Sequence, residues 1–130
     1  MLHGIAPFFI IDDLEETLRF YTAKLGFEVI HKGGGDGHGR DFWAMVERDG
    51  VWLFVKSITA EIHPQPNHTR HPWARWDAYI NASDPDELYR EYVSVGVTMH
   101  RELADTDDGL RAFEILDNNG YVLCFGRPLK

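Results

Sequence analysis

The sequence predicts an α+β protein of two tandem modules, each running strand, helix, strand, strand, strand. One observation behind this is that short apolar runs of strand length alternate with a single amphipathic helical pattern in each half. The other is internal similarity at a shift of 70 positions, which sets Leu18 on Leu88, Gly26 on Gly96, Gly50 on Gly120 and Leu53 on Leu123. The matched glycines fall at helix stops and hairpin turns, where the backbone favours glycine, so a duplication explains them better than shared composition. The 130 residues suit a single domain. Its expected parts are a first module over 1–57, a linker over 58–74 and a second module over 75–130.

The apolar run from Ile5 to Ile11 is too short for a stand-alone helix and reads as the first strand. Asp12 and Asp13 follow it and can cap a helix, in which Leu14, Leu18, Tyr21 and Leu25 line one face until Gly26 stops it. FEVIH from Phe27, DFWAMVE from Asp41 and VWLFV from Val51 read as the next three strands, the last two joined by the Arg48-Asp49-Gly50 turn. The second half repeats the order. It runs through WDAYINA from Trp76, a helix opened by Asp84-Pro85 with Leu88, Tyr92 and Val95 on one face, then VTMHR, LRAFEIL and YVLCF. Proline just inside the helix start suits a position whose N–H has no partner in any case.

Composition narrows the function classes. With 21 acidic against 13 basic residues, a formal charge of −8 repels phosphate backbones, so nucleic acid is not an expected partner. No apolar run approaches the ~20 residues that span a bilayer, so no membrane partner is expected. The N-terminus lacks a basic region and a small-residue cleavage site, and the one cysteine, Cys124, permits no disulfide framework. A cytoplasmic location is the expectation.

Together the duplicated modules, DLEETLRFYTAKLGFEV in the first and FEILDNNGYVLCFGRP in the second, resemble the vicinal oxygen chelate superfamily. That superfamily includes glyoxalase I, extradiol dioxygenases, fosfomycin-modifying enzymes and bleomycin-resistance proteins. The resemblance runs from about Ile5 to Pro128 and rests on Phe20-Tyr21, Leu25-Gly26-Phe27 and the turn from Asp117 to Gly120. It implies curved mixed sheets around a cavity and, for small single-chain members, a homodimer. Several chemistries share this scaffold, so function must be argued from the site.

In the metal-dependent members, the resemblance implies His, Glu or Gln ligands on the first and last strands of each module. The corresponding positions here are Ala6, Phe54, Trp76 or Asp77, and Cys124. Only Asp77 and Cys124 can ligate, and no histidine joins them, so the expectation is no metal and no cofactor. Shifting the register by one residue offers Pro7 and Leu53, which are no better.

Strand alternation places Trp52 with Phe54 on one face, and Cys124 on the matching face of the last strand. With Phe113 and Ile115 as core, Glu114 turns toward the same side as Asp77 and Tyr79. Candidate ligand-binding residues are therefore Trp52, Phe54, Asp77, Tyr79, Glu114 and Cys124, aromatic walls with two carboxylates suited to a flat or cationic small molecule. The expected function resembles that of bleomycin-resistance proteins, which sequester an antibiotic rather than alter it. The alternative is a metal-dependent lyase, transferase or dioxygenase with rearranged ligands.

Two stretches resemble sites without the context for one. GGGDGHG, from Gly33 to Gly39, lacks the Gly-Lys-Ser/Thr of a phosphate cradle and precedes a strand, so it reads as a loop with His38 at its tip. HPQPNHTRHP, from His63 to Pro72, is rich in histidine, but its prolines argue against a helix that would aim two imidazoles together. It reads as linker.

Overall fold

The structure is a computed structural model, and it describes residues 1–35 and 40–130. The chain divides into two compact units, Met1–Pro64 and Gln65–Lys130. In the first, β1 (Phe8–Ile11) leads into α1 (Leu14–Ala23), then β2 (Glu28–Gly33), β3 (Trp43–Arg48) and β4 (Val51–Ser57). The four strands lie in the order β1-β4-β3-β2, with β1 parallel to β4 and the other pairs antiparallel. The second unit holds α2 (Asn67–Arg70), β5 (Ala78–Asn81), α3 (Pro85–Ser94), β6 (Met99–Asp105), β7 (Leu110–Leu116) and β8 (Val122–Pro128). Its sheet repeats the pattern as β5-β8-β7-β6, with β5 parallel to β8. The architecture is α+β, two tandem modules with open mixed sheets.

Each unit forms from the same local rules. The Asp13 carboxylate accepts the Glu16 amide at 2.8 Å, which fixes the start of α1 by satisfying one of the donors that a helix leaves unpaired. Asp84 does the same for Glu87 at 3.0 Å and α3, with Pro85 as the first helical residue. Leu14, Leu18 and Tyr21 of α1 are buried, and on the sheet Ile11, Ala44, Val46, Leu53 and Val55 complete that core. Between β3 and β4 the chain reverses through Asp49 (φ 52°) and Gly50 (φ 82°), a left-handed pair typical of tight hairpins.

In the second unit Tyr92 of α3 meets Phe125 edge to face at 5.5 Å, while Phe113 stacks on Phe125 at 5.4 Å. Burying each such ring stabilises the fold by about 1.5–3 kcal/mol. Because side chains alternate, this face turns Ala112, Glu114 and Cys124 to the side of the sheet away from α3.

Several element ends differ from the sequence reading, each for a physical reason. The first strand begins at Phe8 rather than Ile5, because Pro7 has no N–H to donate and contributes only its carbonyl, which accepts from the Phe54 amide at 3.0 Å. β6 runs on to Asp105, where polar residues hid a strand that pairs with Arg111 and Ala112. The linker contains one helical turn, α2, which corrects the expectation that its prolines forbid a helix. Pro66 precedes the turn and Pro72 follows it, so neither interrupts an intrahelical bond.

Candidate functional site

The face of the second sheet away from α3 carries a lateral row in which Tyr79 pairs with Cys124, Cys124 with Glu114, and Glu114 with Arg101. Over part of this face lies a cavity of about 230 Å³. Trp76, Glu114 and Cys124 line it, with Arg75, Arg101 and the acidic side chains of Glu102, Asp105 and Asp107. Four carboxylates thus face two guanidiniums.

Glu114 is the buried charge of this site, with a side chain only 7% exposed. Its Oε1 accepts from His100 Nδ1 at 2.9 Å, and its Oε2 lies 3.9 Å from Arg75 Nη2. A buried carboxylate needs such donors, since an unpaired one would be neutralised. The His100 ring lies 5.4 Å from that of His68, whose Nε2 donates to the Gly120 carbonyl at 2.8 Å. The chain therefore ties the β8 turn to Glu114 through two imidazoles.

Arg75 lies with its guanidinium carbon 4.3 Å from the centre of the Trp76 ring, a cation–π contact. A second carboxylate, Asp108 Oδ2, stands 3.5 Å from it. Asp108 is held below the usual carboxylate range, first by the Thr106 hydroxyl and then by backbone hydrogen bonding and Arg75.

The six sequence-derived candidates separate into three groups. Tyr79, Glu114 and Cys124 share the row described above. Burial raises the Tyr79 phenol, with Cys124 and Asp108 adding to the effect, and its hydroxyl has no hydrogen-bond partner among the described residues. Burial, and then Glu114, pushes the Cys124 thiol up to about 12, which leaves it protonated and unreactive near neutrality.

Asp77 does not line the cavity. One of its oxygens accepts the Asn67 amide at 2.9 Å and the other the Val122 amide at 2.8 Å, so its carboxylate fastens α2 and β8 to the start of β5. Trp52 and Phe54 belong to the first unit. There Trp52 stands opposite Glu47 and is 47% exposed, while Phe54 stands opposite Met45 and stacks on Phe8 at 6.5 Å.

Sequence reasoning missed Arg75, His100, Arg101 and the acidic residues around Asp105 as site residues, and it treated Trp76 only as a non-ligand. The charged run after His100 was an available signal, but register shifts between Met99 and Arg101 and between Arg101 and Ala104 break the alternation that would have assigned its faces.

The histidine-rich stretch does not converge on one point. His63 Nδ1 bonds Asp12 at 2.8 Å, His68 bonds Gly120, and His71 packs on Trp73. His38 lies outside the described residues.

The positions that the resemblance assigns to metal ligands do not supply a ligand set. Ala6 and Phe54 have no ligating atom, Asp77 spends both oxygens on backbone amides, and Cys124 would have to lose a proton that burial holds. Among the described residues no three His, Cys, Asp or Glu side chains gather at ligand spacing.

Comparison with solved structures returns the same fold at low identity. TioX from Micromonospora sp. ML1 superposes with a TM-score of 0.73 at 18% identity, covering 98% of this chain and 99% of its own. A bleomycin-binding protein complexed with bleomycin gives 0.71 at 20%, covering 97% and 98%. The bleomycin-binding protein of bleomycin-producing Streptomyces verticillus, complexed with copper(II)-bleomycin, gives 0.68 at 22%, covering 96% and 95%. At these identities the likeness is one of fold. No curated protein sequence matches the chain. A family profile described as the Glyoxalase/Bleomycin resistance protein/Dioxygenase superfamily matches residues 4–125, and the chain belongs to that superfamily.

Proposed function

We propose that this protein binds a small cationic or planar aromatic molecule, an antibiotic of the bleomycin kind among them, and withholds it from its target without a metal and without altering it. The observation that carries this reading is the cavity beside Trp76, where a buried carboxylate, three further acidic side chains and an indole face offer charge pairing and stacking together. The net charge of −8 steers cations toward such a surface. Sequestration needs no nucleophile or Lewis acid, and a protonated Cys124 and a metal-unfit donor set accord with that.

The cytoplasm is the compartment proposed, on the single buried thiol. A homodimer is proposed as the working form. Phe8 at 60% and Trp52 at 47% exposure leave apolar rings on the first sheet that a second copy would cover.

Calorimetric titration of metal-free bleomycin and of planar aromatic cations onto untagged protein tests the reading. Saturable binding that weakens in Glu114→Gln and in Trp76→Ala is expected. Absence of binding across the panel, or binding that requires added divalent metal, overturns it.

A further inference from the structure

Resting on that reading, we infer that Arg75 occupies the cation subsite of this cavity as an internal stand-in for the ligand, and that the group it stands in for is a planar amidinium or guanidinium. A flat cation placed over an indole and between two carboxylates is what the cavity already holds, supplied by its own chain. The guanidinium carbon is 4.3 Å from the Trp76 ring centre, Asp108 lies at 3.5 Å and Glu114 at 3.9 Å.

The arginine fits this place loosely. Charge-assisted nitrogen-to-oxygen bonds shorten to about 2.7–2.9 Å when geometry permits, and both carboxylate distances here exceed that. The Arg75 side chain is 46% exposed, so it has open solvent to swing into. Glu114 behaves differently, being 7% exposed and anchored by His100, whereas Asp108 is as exposed as the arginine and is held on its turn by the Thr106 hydroxyl. A fixed Glu114 under a mobile cation makes a subsite that an incoming cation can take over without rearranging the sheet.

Shape follows from the same contacts. A guanidinium or amidinium can lie flat on the indole and present N–H groups in its own plane to two carboxylates at once, whereas an ammonium is a point charge without a face. The subsite therefore prefers flat cations, and Arg75 keeps weak ones out. If the arginine holds its place about nine-tenths of the time, an incoming cation meets an open subsite about one-tenth of the time, and its apparent affinity falls about tenfold.

Benzamidine, an aromatic amidinium, is the probe. Calorimetry is run on the wild type, Arg75→Ala, Arg75→Gln and Arg75→Ala/Glu114→Gln, with the indole N–H resonance of Trp76, assigned through Trp76→Phe, as a second readout. The expected result is binding about tenfold tighter in Arg75→Ala than in the wild type, a shifted Trp76 resonance at saturation, and loss of the gain in the double variant. Methylammonium should show no such gain. Arg75→Gln serves if the alanine variant does not fold, because it keeps the stem and removes the cation.

Equal benzamidine affinity in the wild type and both Arg75 variants overturns the inference, as does a gain that survives Glu114→Gln. The broader reading fails separately. A drug panel that never binds the wild type overturns sequestration even where Arg75→Ala gains benzamidine, and drugs that bind while Arg75→Ala gains nothing leave sequestration standing and remove the stand-in.

Discussion

Replacing Glu114 by glutamine removes one charge while keeping side-chain length and an acceptor for His100. In the wild type the His100 bond at 2.9 Å reaches an ionised acceptor, and such bonds are worth about 1.5–3 kcal/mol against about 0.5–1.5 for neutral ones. The folded state should therefore lose about 1 kcal/mol, close to 4 °C in Tm for a chain of 130 residues. The effect on a bound cation is larger. At an effective dielectric near 20, two unit charges about 5 Å apart attract by roughly 3 kcal/mol, which Arg75, His100 and entering water reduce to about 1–2 kcal/mol. Affinity for a cationic aromatic ligand should fall about 5- to 30-fold. Calorimetry at fixed ionic strength, beside a thermal melt, separates the two effects. An unchanged dissociation constant in a folded Glu114→Gln protein would refute the assignment of this carboxylate to ligand binding.

Other consequences follow from packing and protonation. Gly126 admits no side chain, since a Cβ there would stand 2.7 Å from the Ala112 Cβ and 2.9 Å from the Arg111 carbonyl. Gly126→Ala should cost about 1–3 kcal/mol in a denaturant titration, because backbone blocks the added methyl. Tyr79→Phe removes a buried hydroxyl without a described partner and should leave stability unchanged or raise it by about 1 kcal/mol.

Cys124 makes stability fall with alkalinity. Its thiol is raised from 9.0 to about 12, so between those pH values the unfolded chain releases a proton that the folded chain keeps. Stability attributable to the thiol is complete below pH ~9 and declines above it, and Cys124→Ala should flatten the decline seen in urea melts at successive pH values. The same burial predicts that iodoacetamide fails to label native Cys124 at pH 8 and labels it in urea.

Much of the fold was legible because each element carries its own local instruction. Asp13 and Asp84 announce the helices, and Gly26, Gly50 and Gly120 stand at positive φ where a tight reversal requires it. The strand ends were less legible, since pairing with a neighbour extended β6 through residues whose polarity masks a strand. Alternation alone placed Glu114 opposite Phe113, and the structure sets it there beside Cys124 and Tyr79. Alternation gave no hint that Asp77 would be drawn to two backbone amides, because those amides come from α2 and β8, 10 and 45 residues away and outside its own strand. Arg75 lies outside any regular element, and its place over Trp76 follows from tertiary contacts that no periodicity encodes.

The central claim is capture of an intact small cation without a metal. Equilibrium dialysis of untagged protein in excess EDTA against the tightest-binding cation of the calorimetric panel, followed by mass spectrometry of the released ligand, tests it most directly. The account predicts saturable, stoichiometric retention and recovery of ligand at its original mass. Retention that vanishes in EDTA and returns with a divalent ion, or recovery of a chemically changed ligand, would contradict it.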